Sequence, residues 1–283
     1  MLELGRYNTL KVLRETSVGL FLGDQENAEV LLPRKYVKRH HTIDSDIEVF
    51  IYKDSEDRII ATTEKPFAQV NEFAFLEAVS INKMGAFLNW GLEKDLFVPF
   101  KEQRHKMFEG FSYVVYLYID DLTNRITASS KLNKFFKPAP EDLQVGALVD
   151  LLVYDESDLG YSCIINNAYK GLLYADEVYQ KIKEGDKLKG YVKHIRPDKL
   201  IDLSLQPVGF KKVLSSTDVI LNYLTEHDGY LDLNDKSSPD EISRRFQMSK
   251  ATFKKSIGIL YRQRKVELKN DGVYLVKESH TES

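Results

Sequence analysis

A mainly β chain, with three small barrels in tandem closed by an α+β module, is the fold class predicted by three observations. One pattern occurs three times: Gly19 and Pro33, Gly85 and Pro99, and Gly160 and Tyr174 each lie fourteen positions apart. Each copy is rich in strand-forming runs and about 60 residues long, which exceeds ankyrin or tetratricopeptide units and suffices for a barrel of its own. After Gln206-Pro207-Val208-Gly209 the apolar period changes from that of strands to that of helices.

In the first copy Gly19-Leu20-Phe21-Leu22 leads to Val30-Leu31-Leu32-Pro33, in the second Gly85-Ala86-Phe87-Leu88 leads to Leu96-Phe97-Val98-Pro99, and in the third Gly160-Tyr161-Ser162-Cys163 leads to Gly171-Leu172-Leu173-Tyr174. The glycines are expected to mark bulges or sharp bends, which a small closed barrel requires. Alternating runs follow at Glu48–Tyr52, Tyr113–Tyr118 and Lys189–Lys193. Turn-forming segments, Asp54–Asp57, Asp120–Asn124 and Arg196-Pro197-Asp198, then precede closing strands at Arg58–Thr62, Arg125–Ser129 and Leu200–Ser204. Five short strands per copy is the expected count. Lys65-Pro66-Phe67 and Lys137-Pro138-Ala139-Pro140 interrupt the pattern, because proline cannot donate to a ladder. The barrels are therefore expected at residues 1–66, 67–140 and 141–210, and the final module at 211–283.

Within that module, Ile220, Tyr223 and Leu224 share one helical face over Asp218–Glu226, as do Ile242 and Phe246 over Pro239–Phe246, and Phe253, Ile257 and Leu260 over Ser249–Lys265. Ser238 before Pro239 is a good N-cap, and Ser249 opens the third helix in the same way. Val266–Val276 reads as a hairpin. Three helices and a hairpin predict a winged helix.

Composition narrows the function classes. With 283 residues, 43% hydrophobic and 29% charged, the chain is ordinary globular material with room for several small domains. No apolar stretch approaches the roughly 18 residues needed to span a bilayer, so no membrane partner is expected. Met1-Leu2-Glu3-Leu4-Gly5 lacks the regions of a signal peptide, and the cytoplasm is the expected compartment. The single cysteine, Cys163, excludes an internal disulfide and reads as core filling. His40, His41 and His105 lack ligand spacing, so neither a metal nor a cofactor is expected. Asp155-Glu156-Ser157-Asp158 reads as a hairpin turn. Net charge is −3, yet between Ile242 and Lys269 nine basic residues stand against one acid, Glu267. One basic surface is concentrated there.

At Gly19-Leu20-Phe21, Gly85-Ala86-Phe87 and Gly171-Leu172-Leu173-Tyr174 the copies resemble the RNA-binding barrels first defined in ribosomal protein S-one. Three such barrels followed by Met248-Ser249-Lys250-x-x-Phe253-Lys254-Lys255 and Gly258-x-Leu260-Tyr261 resemble the conserved virulence factor B family of bacterial RNA-binding proteins over nearly the whole chain. The resemblance implies three OB-fold barrels plus a winged helix, and an RNA-binding regulator without enzymatic activity. The chain departs from the barrel pattern where Pro33 and Pro99 replace a base-contacting histidine and where Ser162 stands in place of Phe21 and Phe87.

Barrels of this class stack bases on rings while a basic groove follows the phosphates. In the third copy Lys187, Lys189, Tyr191 and Lys193 alternate with Leu188, Gly190 and Val192, which places them on one face. His194 and Arg196 follow on the other, and Tyr161 and Tyr174 belong to neighbouring strands. A solvated outer face protected by lysines is the competing reading. Phe21 and Phe87 are auxiliary stacking candidates, although aromatics in small barrels are more often core. In the final module Lys250, Lys254, Tyr261 and Lys265 fall along the outer face of the third helix, with Lys255 and Arg262 beside it and Arg244 and Arg245 before it. No acid interrupts Arg244–Val266. Single-stranded RNA is the expected partner. Duplex DNA, read by the winged helix, is the alternative, and a protein-binding scaffold is the third. No phosphate loop, nucleophile elbow or dinucleotide fingerprint is present.

Overall fold

β1 (Tyr7–Thr16) alternates buried Leu10 and Val12 with exposed Lys11, so one face of the strand turns inward. With β2 (Gly19–Gly23), β3 (Glu29–Pro33), β4 (Asp46–Lys53) and β5 (Ile59–Thr62) it closes a barrel in the order β1-β2-β3-β5-β4. The same order recurs in β6 (Phe73–Ile81), β7 (Gly85–Leu88), β8 (Leu96–Pro99), β9 (Ser112–Asp120) and β10 (Arg125–Ser129). It recurs again in β11 (Leu148–Ser157), β12 (Gly160–Ile165), β13 (Tyr169–Tyr174), β14 (Lys187–Ile195) and β15 (Ile201–Ser204). Third and fifth strands pair parallel in all three. This is a computed structural model that describes residues 2–24, 28–175, 178, 181–207, 211–246 and 248–276, and the side chains of 211–215 are not described. The chain falls into two units, Met1–Leu203 and Ser204–Ser283.

The bulges lie elsewhere than expected. The extra residue sits in the first strand of each barrel, where the register shifts between Val12 and Arg14, Ala78 and Ser80, and Val153 and Asp155. The repeat glycines open the second strand instead. Gly19 and Gly160 have φ of 147° and 143°, and a Cβ there would meet the Leu32 and Leu173 carbonyl oxygens at 2.1 and 2.2 Å. Close approach of the third strand is what excludes a side chain. The bulge also carries β11 through Ser157, which pairs with Gly160, so the turn expected over Asp155–Asp158 narrows to Asp158 and Leu159.

Apolar side chains fill the barrel cores: Val12, Leu22, Leu32, Val49 and Ile51 are fully buried in the first. Cys163 fills the third as expected, and burial pushes its thiol up to about 12. Apolar surfaces are also buried between barrels. Phe50 meets Trp90 edge-on at 5.7 Å, in a cluster that joins Tyr52 and Ile60 to the second barrel's Leu88 and Val98. Phe73, Val114 and Leu132 pack with Leu152, Tyr154 and Ile164 of the third.

The second unit contains α1 (Lys211–Glu226), β16 (Tyr230–Leu231), α2 (Pro239–Phe246), α3 (Lys250–Arg262), β17 (Val266–Lys269) and β18 (Gly272–Leu275), with a sheet in the order β16-β18-β17. Ser238 and Glu241 cap α2 reciprocally, each backbone N–H donating to the other's side chain at 3.2–3.3 Å. The Ser249 hydroxyl accepts from the Thr252 N–H at 3.1 Å. Ile220, Leu224, Ile242, Phe253, Ile257 and Leu260 form the core against Val266 and Val273. Two boundaries differ from expectation. α1 begins before Asp218, and α3 ends at Arg262 because Arg264 adopts a left-handed backbone, φ 57°. Lys265 therefore stands in the turn before β17 and not on the helix.

Candidate nucleic-acid interface

Cross-strand pairing identifies which side chains face out from each barrel. Phe21 pairs with Leu31, Phe87 with Phe97, and Ser162 with Leu172. All six are half-buried, while their chain neighbours Leu20, Leu22, Ala86, Leu88 and Cys163 fill the cores. Phe21 and Phe87, the auxiliary stacking candidates for which a core position is the competing reading, thus lie on the outer faces. The Arg14 guanidinium lies 4.2 Å from the Phe21 ring centroid and donates to both Glu29 oxygens at 2.8 and 2.7 Å. Phe87 instead has a second ring beside it, Phe97, with centroids 5.2 Å apart. Next along each face the fifth strand places Ile60, Thr127 and Asp202.

The third barrel carries its candidates in two groups. On β14, Lys187, Lys189 and Lys193 are exposed and Tyr191 is half-buried, while Gly190 and Val192 are buried, as the strand period requires. Lys187, Lys189 and Tyr191 stand opposite Leu152, Asp150 and Leu148 of β11, and Lys189 pairs with Asp150 at 2.5 Å. The second group gathers around Asp202. Arg196 donates to its carboxylate through Nε at 3.0 Å and Nη2 at 2.7 Å, and through Nη2 to the Tyr174 hydroxyl. That bonding with Asp202 holds the guanidinium above its ordinary range. His194 Nδ1 lies 3.6 Å from Asp202, and Lys193 Nζ lies 6.0 Å from the Tyr174 ring centroid. His194 and Arg196, expected on the opposite face, thus reach the same carboxylate. Tyr161 does not join them. It pairs with Leu173, which is fully buried, and so sits on the core side of β12.

Asp202 was missed by sequence reasoning, as was Phe97. The threefold pattern carried a signal for both, since Asp202 aligns with Ile60 and Thr127 in the closing strands and Phe97 faces Phe87 across two adjacent strands.

In the second unit, Arg244, Arg245, Lys254, Lys255, Arg262 and Lys265 are exposed, Lys250 is half-buried, and Tyr261 is 56% exposed. Their partners differ. Arg245 is tied to Asp232, and Lys254 lies 3.5 Å from Asp235. Arg262 Nε donates to the Gly258 carbonyl at 3.3 Å. Lys250, Lys254, Gly258 and Tyr261 line one side of α3 at helical spacing. A Cβ on Gly258 would meet nothing within 4 Å. Packing does not require that glycine, and it leaves the helix backbone open to close approach.

Other chemistry is sparsely provided for. Among the described residues no group of three His, Cys, Asp or Glu side chains is placed to hold a metal ion, and no helix is long and apolar enough to cross a membrane.

Residues 218–275 match the CvfB-like winged helix domain, and residues 4–64 match the S1 domain. The chain is 29% identical over 282 residues to uncharacterized protein YitL of Bacillus subtilis, covering 95% of this chain and 93% of that one. It is 24% identical over 244 residues to conserved virulence factor B of Staphylococcus epidermidis, covering 83% and 82%. Among solved structures, a multidomain protein with nucleic acid binding domains from Streptococcus pneumoniae TIGR4 is 24% identical and covers 96% of this chain and 98% of that one, at a TM-score of 0.41.

Proposed function

Because the chain joins the winged helix of the conserved virulence factor B proteins to an S1 domain, we propose that it is a non-catalytic RNA-binding protein that regulates gene expression after transcription, in the cytoplasm. One observation carries this reading: the outer side of α3 presents Lys250, Lys254, Lys255, Arg262 and an exposed Tyr261, with no acid on the helix. Cations follow phosphates, and exposed rings stack on unpaired bases. The third barrel supports the reading with Lys187, Lys189, Tyr191 and Lys193 on one face, and Tyr174 beside Lys193.

Duplex DNA is the second reading, since a winged helix presents a recognition helix suited to the major groove. The exposed side of α3 is lysine and arginine without an Asn or Gln stripe, which favours phosphate attraction over reading of base edges. Competition at matched salt decides between them. Single-stranded RNA is expected to displace a bound RNA probe well below the concentration at which duplex DNA does, and preference for the duplex would reverse the assignment. Six to nine phosphate contacts predict a log–log salt slope of about −4 to −6 for a single strand. RNA incubated with the protein and magnesium is expected to stay intact, and cleavage would overturn the non-catalytic reading.

A further inference from the structure

Between the first two barrels lies a cavity of about 430 Å³. That is within the range of about 300–1,000 Å³ over which small ligands are enclosed. Phe87 and Phe97 supply an aromatic wall, their rings tilted 38° to each other. Three cations stand in its lining, and each is engaged. Lys53 Nζ donates to the Asn124 carbonyl at 2.5 Å, Lys94 Nζ to the Asp54 carbonyl at 2.6 Å, and Arg125 pairs with Asp57. One charged group in the lining is not engaged: Asp95 has no hydrogen-bond or ion-pair partner among the described residues. Burial raises its carboxyl above the ordinary range.

The loop that carries this acid is anchored at Lys94. The Trp90 indole N–H donates to the Lys94 carbonyl at 2.6 Å, closing the loop that carries Asp95, and Lys94 anchors the same loop to the first barrel. A carboxylate that shares its lining with two rings suits a flat ligand that offers N–H donors, since an ionised carboxylate only accepts. Among the RNA bases guanine offers two donors side by side, N1–H and the N2 amino group, matching the two carboxylate oxygens. Uracil offers one N–H between two carbonyls, which the acid would repel. Adenine and cytosine offer one amino group next to an acceptor nitrogen.

We propose that this cavity is a guanine-accepting pocket, in which Phe87 and Phe97 stack on the base and Asp95 accepts from its Watson–Crick edge. The pocket rests on the RNA-binding reading above and adds base preference to it. Unpaired RNA bases are read in this way, by rings on their faces and hydrogen bonds on their edges. Charge-assisted bidentate pairs are the strong ones.

The test titrates the full chain with a uridine dodecamer, with the same oligonucleotide carrying one central guanosine, and with one carrying inosine, which keeps N1–H and lacks the amino group. Guanosine is expected to tighten binding roughly tenfold, as one good bidentate pair does, and inosine to fall between. Asp95→Asn is expected to erase that difference, and Phe87→Ala to weaken the guanosine oligonucleotide most. Direct titration with guanosine and uridine monophosphates separates the sources: binding of the free guanine nucleotide alone assigns the pocket to a small molecule, and preference only within a strand assigns it to RNA. Equal affinity for the uridine and guanosine dodecamers together with no selective binding of the free guanine nucleotide overturns the pocket and leaves RNA binding standing. Survival of the tenfold preference in Asp95→Asn overturns the role of that acid. Failure of every oligonucleotide to bind overturns the RNA-binding reading itself, and the nucleotide titration then decides the pocket alone.

Discussion

The second and third barrels share one strand order and differ on the side that faces out. Where the second presents Phe87 and Phe97 beside Thr127, the third presents Ser162 and Leu172 beside Asp202. The rings of the second barrel line a cavity, whereas the acid of the third is bound to Arg196, which also holds Tyr174. Inward positions stayed apolar in both, since Leu88 and Cys163 are each fully buried and any polar atom there would lack partners. A repeated core with unrepeated outer positions is what divided labour among copies looks like. Under the RNA-binding proposal the second barrel takes a base and the third a charged strand.

Four experiments break or sharpen that contrast. The largest effect is expected outside both barrels: reversing Lys250, Lys254 and Lys255 to glutamate should lower the salt slope by about 2 for a single strand and weaken binding on the order of a hundredfold at low salt, for every sequence alike. Next, Phe87→Ala should cost about 1–3 kcal/mol of single-strand binding, as removal of one stacking ring does. Tyr174→Ala and Tyr191→Ala should also weaken single strands more than duplexes, read by fluorescence anisotropy. An unchanged affinity in Phe87→Ala would leave the second barrel a spacer. Gly258→Ala is third. It should raise the stability of the winged helix by about 0.5–1 kcal/mol in chemical denaturation, since alanine favours a helix, while weakening nucleic-acid binding if a ligand backbone sits against α3. Smallest is the difference between two cation deletions in the third barrel. Arg196→Ala should lower the thermal midpoint more than Lys189→Ala, because Arg196 joins Asp202 to Tyr174, whereas Lys189 and Asp150 form an exposed pair of a kind that contributes little.

The barrels were legible because Gly19, Gly85 and Gly160 mark an equivalent place in each copy where a neighbouring strand passes too close for a side chain. The winged helix was legible through Ser238, Ser249 and the apolar spacing of Phe253, Ile257 and Leu260. The outer faces were harder to read. Alternation separates two sides of a strand without saying which is inside, and a bulge shifts that assignment by one residue. Tyr161 was placed with the binding residues for that reason. Its pairing with Leu173, which depends on register across β12 and β13, puts it on the core side. Lys265 was placed on α3 because periodicity does not record where Arg264 turns the backbone left-handed. Asp202 carries no mark as a single letter. Its meaning comes from Arg196, His194 and Tyr174, which chain reversal brings to it.

Phe50 against Trp90, and Phe73 against Leu152 and Ile164, have a consequence for how the first unit comes apart. Cutting out the middle copy at its linkers would strip an oily seam from both flanking copies at once, so fragments made that way should clump in solution. Heating the intact chain should instead melt all three copies in a single calorimetric transition.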